Sequence, residues 1–267
     1  MQALPGDYHN HTIWSDGTGT VDDSIRAAID AGITEVGISD HFGPIAGSPY
    51  PGHPIKKIEI PSYLDEVELA STRYDDIMVL LSAEADYSPE TEDALSAMLD
   101  ANRFDYIVGG VHSVCGFDFD NVLERDDPKW LDLESLYHEY YTVVKKSVEF
   151  GKLDIIAHLD YIGLWGHKAP KSSRRDVYVV LEAIRESGAA LEINTDNISD
   201  PAQRMYPERS TIELAAKMGI PITFGSDAHR STFIGGNFEQ AVRVAYECGY
   251  NGSRRMSDRE IIPFYQK

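Results

Sequence analysis

The sequence predicts an α/β fold, and in particular a distorted seven-stranded (β/α)7 barrel. Short β-rich apolar runs alternate with segments of helical periodicity, and this alternation repeats seven times along the chain. Helices of this length between strands are typical of right-handed βαβ units and a parallel sheet. No repeat, low-complexity tract or linker interrupts the pattern, so we expect residues 1–267 to form a single domain.

Each strand and helix is predicted from its apolar pattern and its ends. The predicted strands are Asp7–His11, Glu35–Ser39, Ile77–Glu84, Tyr106–Val111, Leu153–His158, Ala189–Ile193 and Pro221–Gly225. The first helix starts after Thr20 and stops at Gly32. The later helices are predicted at Tyr63–Arg73, Glu90–Ala101, Glu134–Phe150, Asp176–Ser187, Glu208–Met218 and Gln240–Glu247.

Composition excludes several classes of protein. The 267 residues are 42% hydrophobic and 25% charged, which is close to the globular average and argues against disorder and coiled coils. The net charge of −20 repels polynucleotides and anionic membrane surfaces, so neither is an expected partner. The sequence contains no apolar stretch typical of a signal peptide or membrane span, and we expect a cytoplasmic protein. The two cysteines, Cys115 and Cys248, are too far apart to form a CxxC thiolate site.

The predicted strands end in residues that bind metals. His9 and His11 alternate along the first strand, so both imidazoles face the same side. Comparable side chains follow every other predicted strand except the sixth, and the carboxyl ends of barrel strands converge on one face. The candidate ligands are His9, His11, Asp16, His41, Glu84, His112, His158, Asp227 and His229.

This set of side chains predicts a metal site at the C-terminal ends of the strands. Nine candidate ligands are more than one tetrahedral ion needs, so we expect two to three divalent ions. Mixed imidazole and carboxylate ligands suit Zn, Mn or Fe and disfavour Ca.

The remaining histidines and two aspartates are not predicted to be metal ligands. His53 and His138 are expected to be structural or solvated, whereas His167 lies just beyond a strand end, where it could reach a substrate. Asp40 and Asp160 either orient a neighbouring imidazole or cap a loop.

The ordered motifs resemble the PHP (polymerase and histidinol phosphatase) superfamily of metal-dependent phosphoesterases. They are His9-Asn10-His11 with Ser15-Asp16-Gly17, Ser39-Asp40-His41, Glu84-Ala85-Asp86-Tyr87, Gly110-Val111-His112-Ser113, His158-Leu159-Asp160 and Gly225-Ser226-Asp227-Ala228-His229. The segments Leu191–Thr195, Tyr206-Pro207 and Gly219–Pro221 are similar to the monofunctional histidinol phosphatase branch. The resemblance implies a PHP-type barrel with a trinuclear metal centre.

The resemblance also implies how the ligands divide among the ions. His9, His11, Glu84 and Asp227 would bind the first ion, and Glu84, His112 and His158 the second. Asp16, His41 and His229 would bind the third. The implied reaction is hydrolysis of a small phosphate monoester, most similar to the conversion of histidinol phosphate to histidinol and phosphate. Glu84, Asp227 and His229 would then be the catalytic residues.

The chain departs from this branch where the phosphatases commonly carry basic residues. Tyr161 follows His158-Leu159-Asp160, and Asp196 follows Asn194-Thr195. His167, Lys168, Arg204 and Arg230 are therefore the candidates for binding the substrate.

Three other functions compete with a small-monoester phosphatase. The first is a nucleotide or oligonucleotide phosphoesterase of the same superfamily, which the acidic charge disfavours. The second is an amidohydrolase, a class that typically has a bridging Lys where this chain has Glu84. The third is a non-enzymatic, metal-stabilised binding module. Such a module is expected to lack some of the metal ligands, whereas this chain has all of them.

Overall fold

The fold is built around a parallel β-sheet. The computed structural model describes residues 4–44, 54–114, 116–119, 121, 130, 132–196 and 205–264. Its strands are β1 Glu35–Ile38, β2 His41–Phe42, β3 Met78–Asp86, β4 Tyr106–Gly110, β5 Ser113–Val114, β6 Phe117–Asp118, β7 Ile155–Ile156, β8 Ala190–Asn194, β9 Ile222–Gly225, β10 Gly252–Arg254 and β11 Ile261–Pro263. Parallel strands follow one another in the order β1-β3-β4-β7-β8-β9, and β2 pairs with β3 farther along the same strand.

All seven predicted helices are present. They are α1 Val21–Asp30, α2 Ile60–Ser71, α3 Glu92–Asp100, α4 Leu133–Glu149, α5 Ser173–Ser187, α6 Arg209–Met218 and α7 Phe238–Glu247. Thr20 and Asp23 form a capping box at the start of α1, and left-handed glycines at positions 188 and 219 end α5 and α6. Within the described ranges, no helix is long and apolar enough to cross a membrane.

The central strands are buried on both faces, as expected when helices cover a parallel sheet. Every residue of β1, β4, β8 and β9 is buried. One face of the sheet packs against the helices in the main apolar core. A second, separate cluster contains Tyr8, Leu80, Tyr106, Val108, Ile155, Ala157 and Met256. Successive side chains of a strand point to opposite faces of the sheet, so the two clusters lie on opposite faces.

The predicted first strand, Asp7–His11, does not form a regular strand. It makes two isolated parallel bridges, Asp7 with Val36 and Asn10 with Ala228. Its backbone hydrogen-bonds on both sides, because Gly37 N donates to Asp7 O (2.9 Å) and Tyr8 N donates to Phe224 O (3.1 Å). The segment thus lies between the two outer strands of the sheet, β1 and β9, and shares its few hydrogen bonds between them.

Other elements also differ from the prediction. The fifth predicted strand shortens to β7, because His158 has a φ of 21°, which is incompatible with an extended strand. The antiparallel hairpins β10–β11 and β5–β6 and the two-residue strand β2 were not predicted, since strands of two or three residues are too short to show an alternation.

The buried carboxylate of Glu35 ties this C-terminal region to the sheet. It accepts hydrogen bonds from Tyr8 Oη (2.7 Å), Met256 N (2.9 Å) and Ser257 N (3.0 Å). Glu35 is at the start of β1, so these bonds lie at the end of the sheet opposite the carboxyl ends of the strands. They hold Met256 in the second apolar cluster.

Replacing Glu35 is expected to destabilise the fold strongly. Glu35→Ala leaves Ser257 N and the buried hydroxyl of Tyr8 without their acceptor, and Met256 N keeps only its longer contact with Tyr8 Oη (3.2 Å), which should lower the free energy of unfolding by about 3 kcal/mol or more. Urea denaturation measures this change. Glu68→Ala, at an exposed position on α2, should change the value by less than about 0.5 kcal/mol. Equal effects of the two substitutions would contradict the role assigned to Glu35.

Candidate metal centre

The structure brings all nine candidate ligands together at the carboxyl ends of the strands. The segment between β1 and β9 carries His9 and His11, and the turn after it carries Asp16. Two more ligands lie within strands, with His41 opening β2 and Glu84 near the end of β3. The other four follow strand ends: His112 after β4, His158 after β7, and Asp227 and His229 after β9. Parallel pairing sets His41 directly opposite Glu84.

Glu84 lies at the centre of this cluster, and its side chain is only 1% exposed. Its Oε2 atom is 3.2 Å from His9 Nε2, 3.6 Å from His11 Nε2 and 3.0 Å from His41 Nδ1. Its Oε1 atom is 3.1 Å from His158 Nε2 and 3.4 Å from His112 Nε2. One carboxylate therefore contacts five imidazoles.

The ligand atoms fall into overlapping groups, each with all its atoms within 4.8 Å of one another. Such groups could hold several ions. They are His9-His11-Glu84, His9-His158-Asp227, Glu84-His112-His158, His11-Asp16-His41-His229 and His41-Asp86-His112. The first four contain the nine residues expected from the sequence, whereas the fifth adds Asp86.

The donor atoms at the centre fit divalent metal ions. His9 Nε2, His11 Nδ1, Glu84 Oε2 and His158 Nδ1 are buried and have no hydrogen-bond partner of suitable geometry among the described residues. Several of them still approach opposite charges within 4 Å, as His9 Nε2 and Glu84 Oε2 do. Buried polar atoms that converge without hydrogen-bonding are costly unless another group satisfies them. Imidazole nitrogens and carboxylate oxygens are the donors that Zn, Mn and Fe accept.

The central carboxylates are held in their charged form. Burial alone would raise the pKa of Glu84, but the charges of His9 and His41 outweigh burial and hold that pKa well below its usual range. The same balance, with His9 and His11 as the opposing groups, lowers the pKa of Asp227. Both side chains are therefore ready to bind cations.

Glu192, on β8, is a buried site residue that the sequence analysis missed. Its Oε1 atom is 2.8 Å from His9 Nδ1, and its Oε2 atom accepts hydrogen bonds from His158 N (2.9 Å) and Asn194 Nδ2 (3.1 Å). Asn194 Nδ2 also donates to Asp227 Oδ2 at 3.0 Å. The sixth predicted strand, which is β8 in the structure, thus supports the candidate ligands but does not itself end in one. A glutamate within the apolar run of Ala189–Ile193 was the available signal.

Asp40 supports the loop that carries Asp16. It accepts hydrogen bonds from Thr12 N (2.7 Å) and Thr12 Oγ1 (2.8 Å), and from Ser15 N (3.1 Å) and Ser15 Oγ (2.6 Å). Of the two roles considered for Asp40, these contacts favour loop capping. Asp160 likewise accepts from a backbone group, Glu208 N, at 2.8 Å.

Close backbone approaches and strained residues make room for the cluster. A Cβ atom on Gly225 would lie 2.0 Å from Glu192 Oε1, and one on Gly110 would lie 2.4 Å from Glu84 Oε1. His158 and Asp227 have positive φ values of 21° and 52°. Such conformations cost about 1–3 kcal/mol each and concentrate at functional sites.

The remaining candidates lie in different surroundings. His138 is exposed on α4 and pairs with Asp176 at 3.2 Å, while the ring of His167 stacks on Trp130 with centroids 4.1 Å apart. Lys168 and Arg230 are exposed, and Arg230 directly follows His229. His53, Cys115 and Arg204 lie outside the described residues.

Known proteins share this chain's sequence pattern and fold. The model of the PHP domain family matches residues 7–196, and that of the PHP-associated family matches residues 209–237. A probable histidinol-phosphatase from Deinococcus radiodurans is 32% identical over 247 residues, covering 91% of this chain and 93% of the relative. The histidinol-phosphatase of Bacillus subtilis is 24% identical over 264 residues, covering 90% and 98%.

A solved structure shares the fold along nearly the whole chain. It is the histidinol phosphate phosphatase of Lactococcus lactis in complex with zinc, L-histidinol and phosphate, with a TM-score of 0.80 and 21% identity. The match covers 97% of this chain and 99% of the other. The extent of the family match and the identity to the Deinococcus relative together show that the chain belongs to the PHP domain family.

Proposed function

We propose that this protein is a metal-dependent phosphatase that hydrolyses histidinol phosphate to histidinol and phosphate. The observation that carries this proposal is the convergence of buried, unsatisfied imidazole and carboxylate atoms around Glu84. The relatives from Deinococcus radiodurans and Bacillus subtilis, each covering about nine tenths of the chain, support the substrate. The reaction class is phosphoric monoester hydrolysis.

The proposed ligands divide into three sets, and Glu84 belongs to the first two. His9, His11, Glu84 and Asp227 form the first set, and Glu84, His112 and His158 form the second. Asp16, His41 and His229 form the third, in which His229 Nε2 is 3.1 Å from Asp16 Oδ2. Zn, Mn and Fe all suit these donors.

Divalent ions held there would supply positive charge for the phosphate oxygens and lower the pKa of water. The protein's own residues hold and orient the reacting groups. Asp227 is fixed at both oxygens, by His11 Nε2 at 3.0 Å and by Asn194 Nδ2. His229 Nδ1 donates to the carbonyl of Asp227 at 2.9 Å, which turns its Nε2 atom towards Asp16. We assign proton transfer during the reaction to Asp227 and His229.

The substrate-binding residues of this proposal are His167, Lys168, Arg204 and Arg230. Arg230 follows a proposed ligand directly and is exposed, so its guanidinium is free to approach a phosphate at the cluster. The wall beside the second set is aromatic, since the ring of Tyr161 is centred 4.5 Å from that of His158. A small organic phosphate suits this surface better than a polynucleotide, which the net charge of −20 repels.

The proposal extends to the architecture. The segment of residues 7–11 would act as the seventh strand and close the (β/α)7 barrel, with residues 1–267 forming one PHP-type domain. Its hydrogen bonds to β1 on one side and to Phe224 of β9 on the other support this closure.

The first test of the proposal is metal content. Protein purified without chelator should contain close to three divalent ions per chain, because the ligands form three sets. Elemental analysis gives this number before and after reconstitution with Mn or Zn. A content of one ion or fewer that reconstitution does not raise would contradict the trinuclear centre.

The second test concerns the shared carboxylate. Glu84→Gln removes a negative charge that contacts five histidines, so we expect the loss of at least one ion and a drop in kcat/KM of about 100-fold or more. Elemental analysis and phosphate-release assays measure the two effects. His138→Ala, at an exposed position on α4, should leave both nearly intact. Comparable losses in the two variants would show that the ligand assignment is wrong.

The third test concerns the substrate. Histidinol phosphate should be hydrolysed with a kcat/KM at least ~100-fold above that of nucleoside monophosphates and a generic aryl phosphate, which corresponds to about 2.7 kcal/mol of transition-state binding. Steady-state kinetics with the metal-loaded enzyme measures the ratio. Equal rates for all monoesters would contradict this substrate but not the phosphatase, and activity confined to oligonucleotides would favour a nuclease of the same family.

A further inference from the structure

We propose that Asp86 is a positioning residue that links the second and third ligand sets, so that the loss of its carboxylate weakens two metal ions at once. This inference rests on the proposed metal centre and not on the identity of the substrate. The nine residues expected from the sequence do not include Asp86.

One oxygen of Asp86 contacts a histidine from each set. Asp86 Oδ1 is 3.0 Å from His41 Nδ1 and 3.0 Å from His112 Nδ1. A carboxylate oxygen only accepts hydrogen bonds, so both Nδ1 atoms carry the proton in these contacts. The Nε2 atoms of both rings then carry no proton and can act as ligands. His41 Nδ1 also lies 3.0 Å from Glu84 Oε2, but this contact does not have hydrogen-bond geometry, so Asp86 is the acceptor for this ring.

The unprotonated Nε2 atoms of His41 and His112 face different parts of the cluster. His41 Nε2 points towards Asp16, with 3.8 Å between it and Asp16 Oδ2. His112 Nε2 lies 3.2 Å from His158 Nε2 and 3.4 Å from Glu84 Oε1. Asp86 therefore determines which nitrogen each ring offers to its own set.

The position of Asp86 follows from the sheet. Glu84 and Asp86 are two residues apart on β3, so both side chains lie on the same face of the strand. Parallel pairing sets Asp86 opposite Gly110 on β4, two residues before His112, and sets Glu84 opposite His41 on β2. The two histidines thus flank the end of β3 from neighbouring strands, and Asp86 lies between them.

The alternative role for Asp86 is that of a direct ligand. His41, Asp86 and His112 lie close enough together to hold an ion themselves. In that arrangement both histidines would bind through Nδ1, and their Nε2 atoms would no longer serve the other two sets. In the hydrogen-bonded arrangement, Nδ1 of each ring donates to Asp86 and Nε2 can bind an ion. We favour this arrangement because both nitrogens of each ring then have a partner.

The test compares four variants by titration with Mn, which gives the number of ions that each binds and the affinity for each ion. Asp86→Ala removes both hydrogen bonds and should weaken two ions by about 10- to 100-fold. Asp86→Asn keeps a carbonyl oxygen that can accept from both rings, so its affinities should stay within about threefold of the natural chain. His229→Ala removes a ligand from the third set only and should weaken one ion. Asp93→Ala, at an exposed position on α3, should weaken none.

The outcomes separate the possible roles of Asp86. If Asp86→Ala weakens one ion or none, the link between the sets does not exist. If Asp86→Asn loses as much as Asp86→Ala, the residue acts as a ligand or through its charge, and the proposal is wrong. A natural chain that binds no ions would contradict the proposed function itself, whereas a natural chain and an Asp86→Ala variant that bind three ions with the same affinities would contradict only this inference.

A second measurement needs no substitution and decides the question if Asp86→Ala fails to fold. In the natural chain labelled with ¹⁵N-histidine and loaded with Zn, both His41 and His112 should carry their proton on Nδ1. Nuclear magnetic resonance detects this proton directly from the ¹⁵N shifts of the ring. An unprotonated Nδ1 on either ring would overturn the proposal.

Discussion

The structure depends on one constraint, which is that the carboxylate of Glu84 is buried among five histidines. A buried charge is tolerated only when it is paired and hydrogen-bonded, so every element around it has to present a partner. The segments that carry these partners come from sequence positions between His9 and His158. Pairing in one parallel sheet is what brings them to a common edge. The pairing of the strands therefore determines the positions of the histidines around Glu84.

Around Glu84, a second layer of polar side chains holds the candidate ligands in place. Glu192 fixes His9 and His158, and Asn194 joins Glu192 to Asp227. Asp40 holds the turn that presents Asp16. Imidazoles that bind metals usually donate their second N–H to such a partner, which fixes the ring and its tautomer. This layer explains why buried positions next to the strand ends are polar in a fold whose strands are otherwise apolar.

The sequence allowed the parallel strands and the helices between them to be predicted, although not all of their exact ends, because apolar runs and helix caps are local signals. The nine residues that the structure gathers around Glu84 were found in the same way, since each of them lies at or near the end of such a run. Glu192 was missed because it lies inside a strand, and its role depends on contact with His9, 183 positions away. Asp86 follows Glu84 by two residues, yet only the neighbouring strands show that it meets two histidines. The pairing of residues 7–11 with both β1 and β9 likewise depends on contacts that no local pattern contains.

The N-terminal segment also has a consequence for the order of events during synthesis. His11 and Asp227 are 216 residues apart, so at about 5–20 residues per second a ribosome needs about 10–40 s to add the second after the first. The set of Glu84, His112 and His158 is complete as soon as His158 has emerged, whereas the sets that need Asp227 and His229 must wait. Until then, His9 and His11 have no partner on the β9 side. The candidate ligands therefore become available in stages, with Glu84, His112 and His158 before Asp227 and His229, which follow β9.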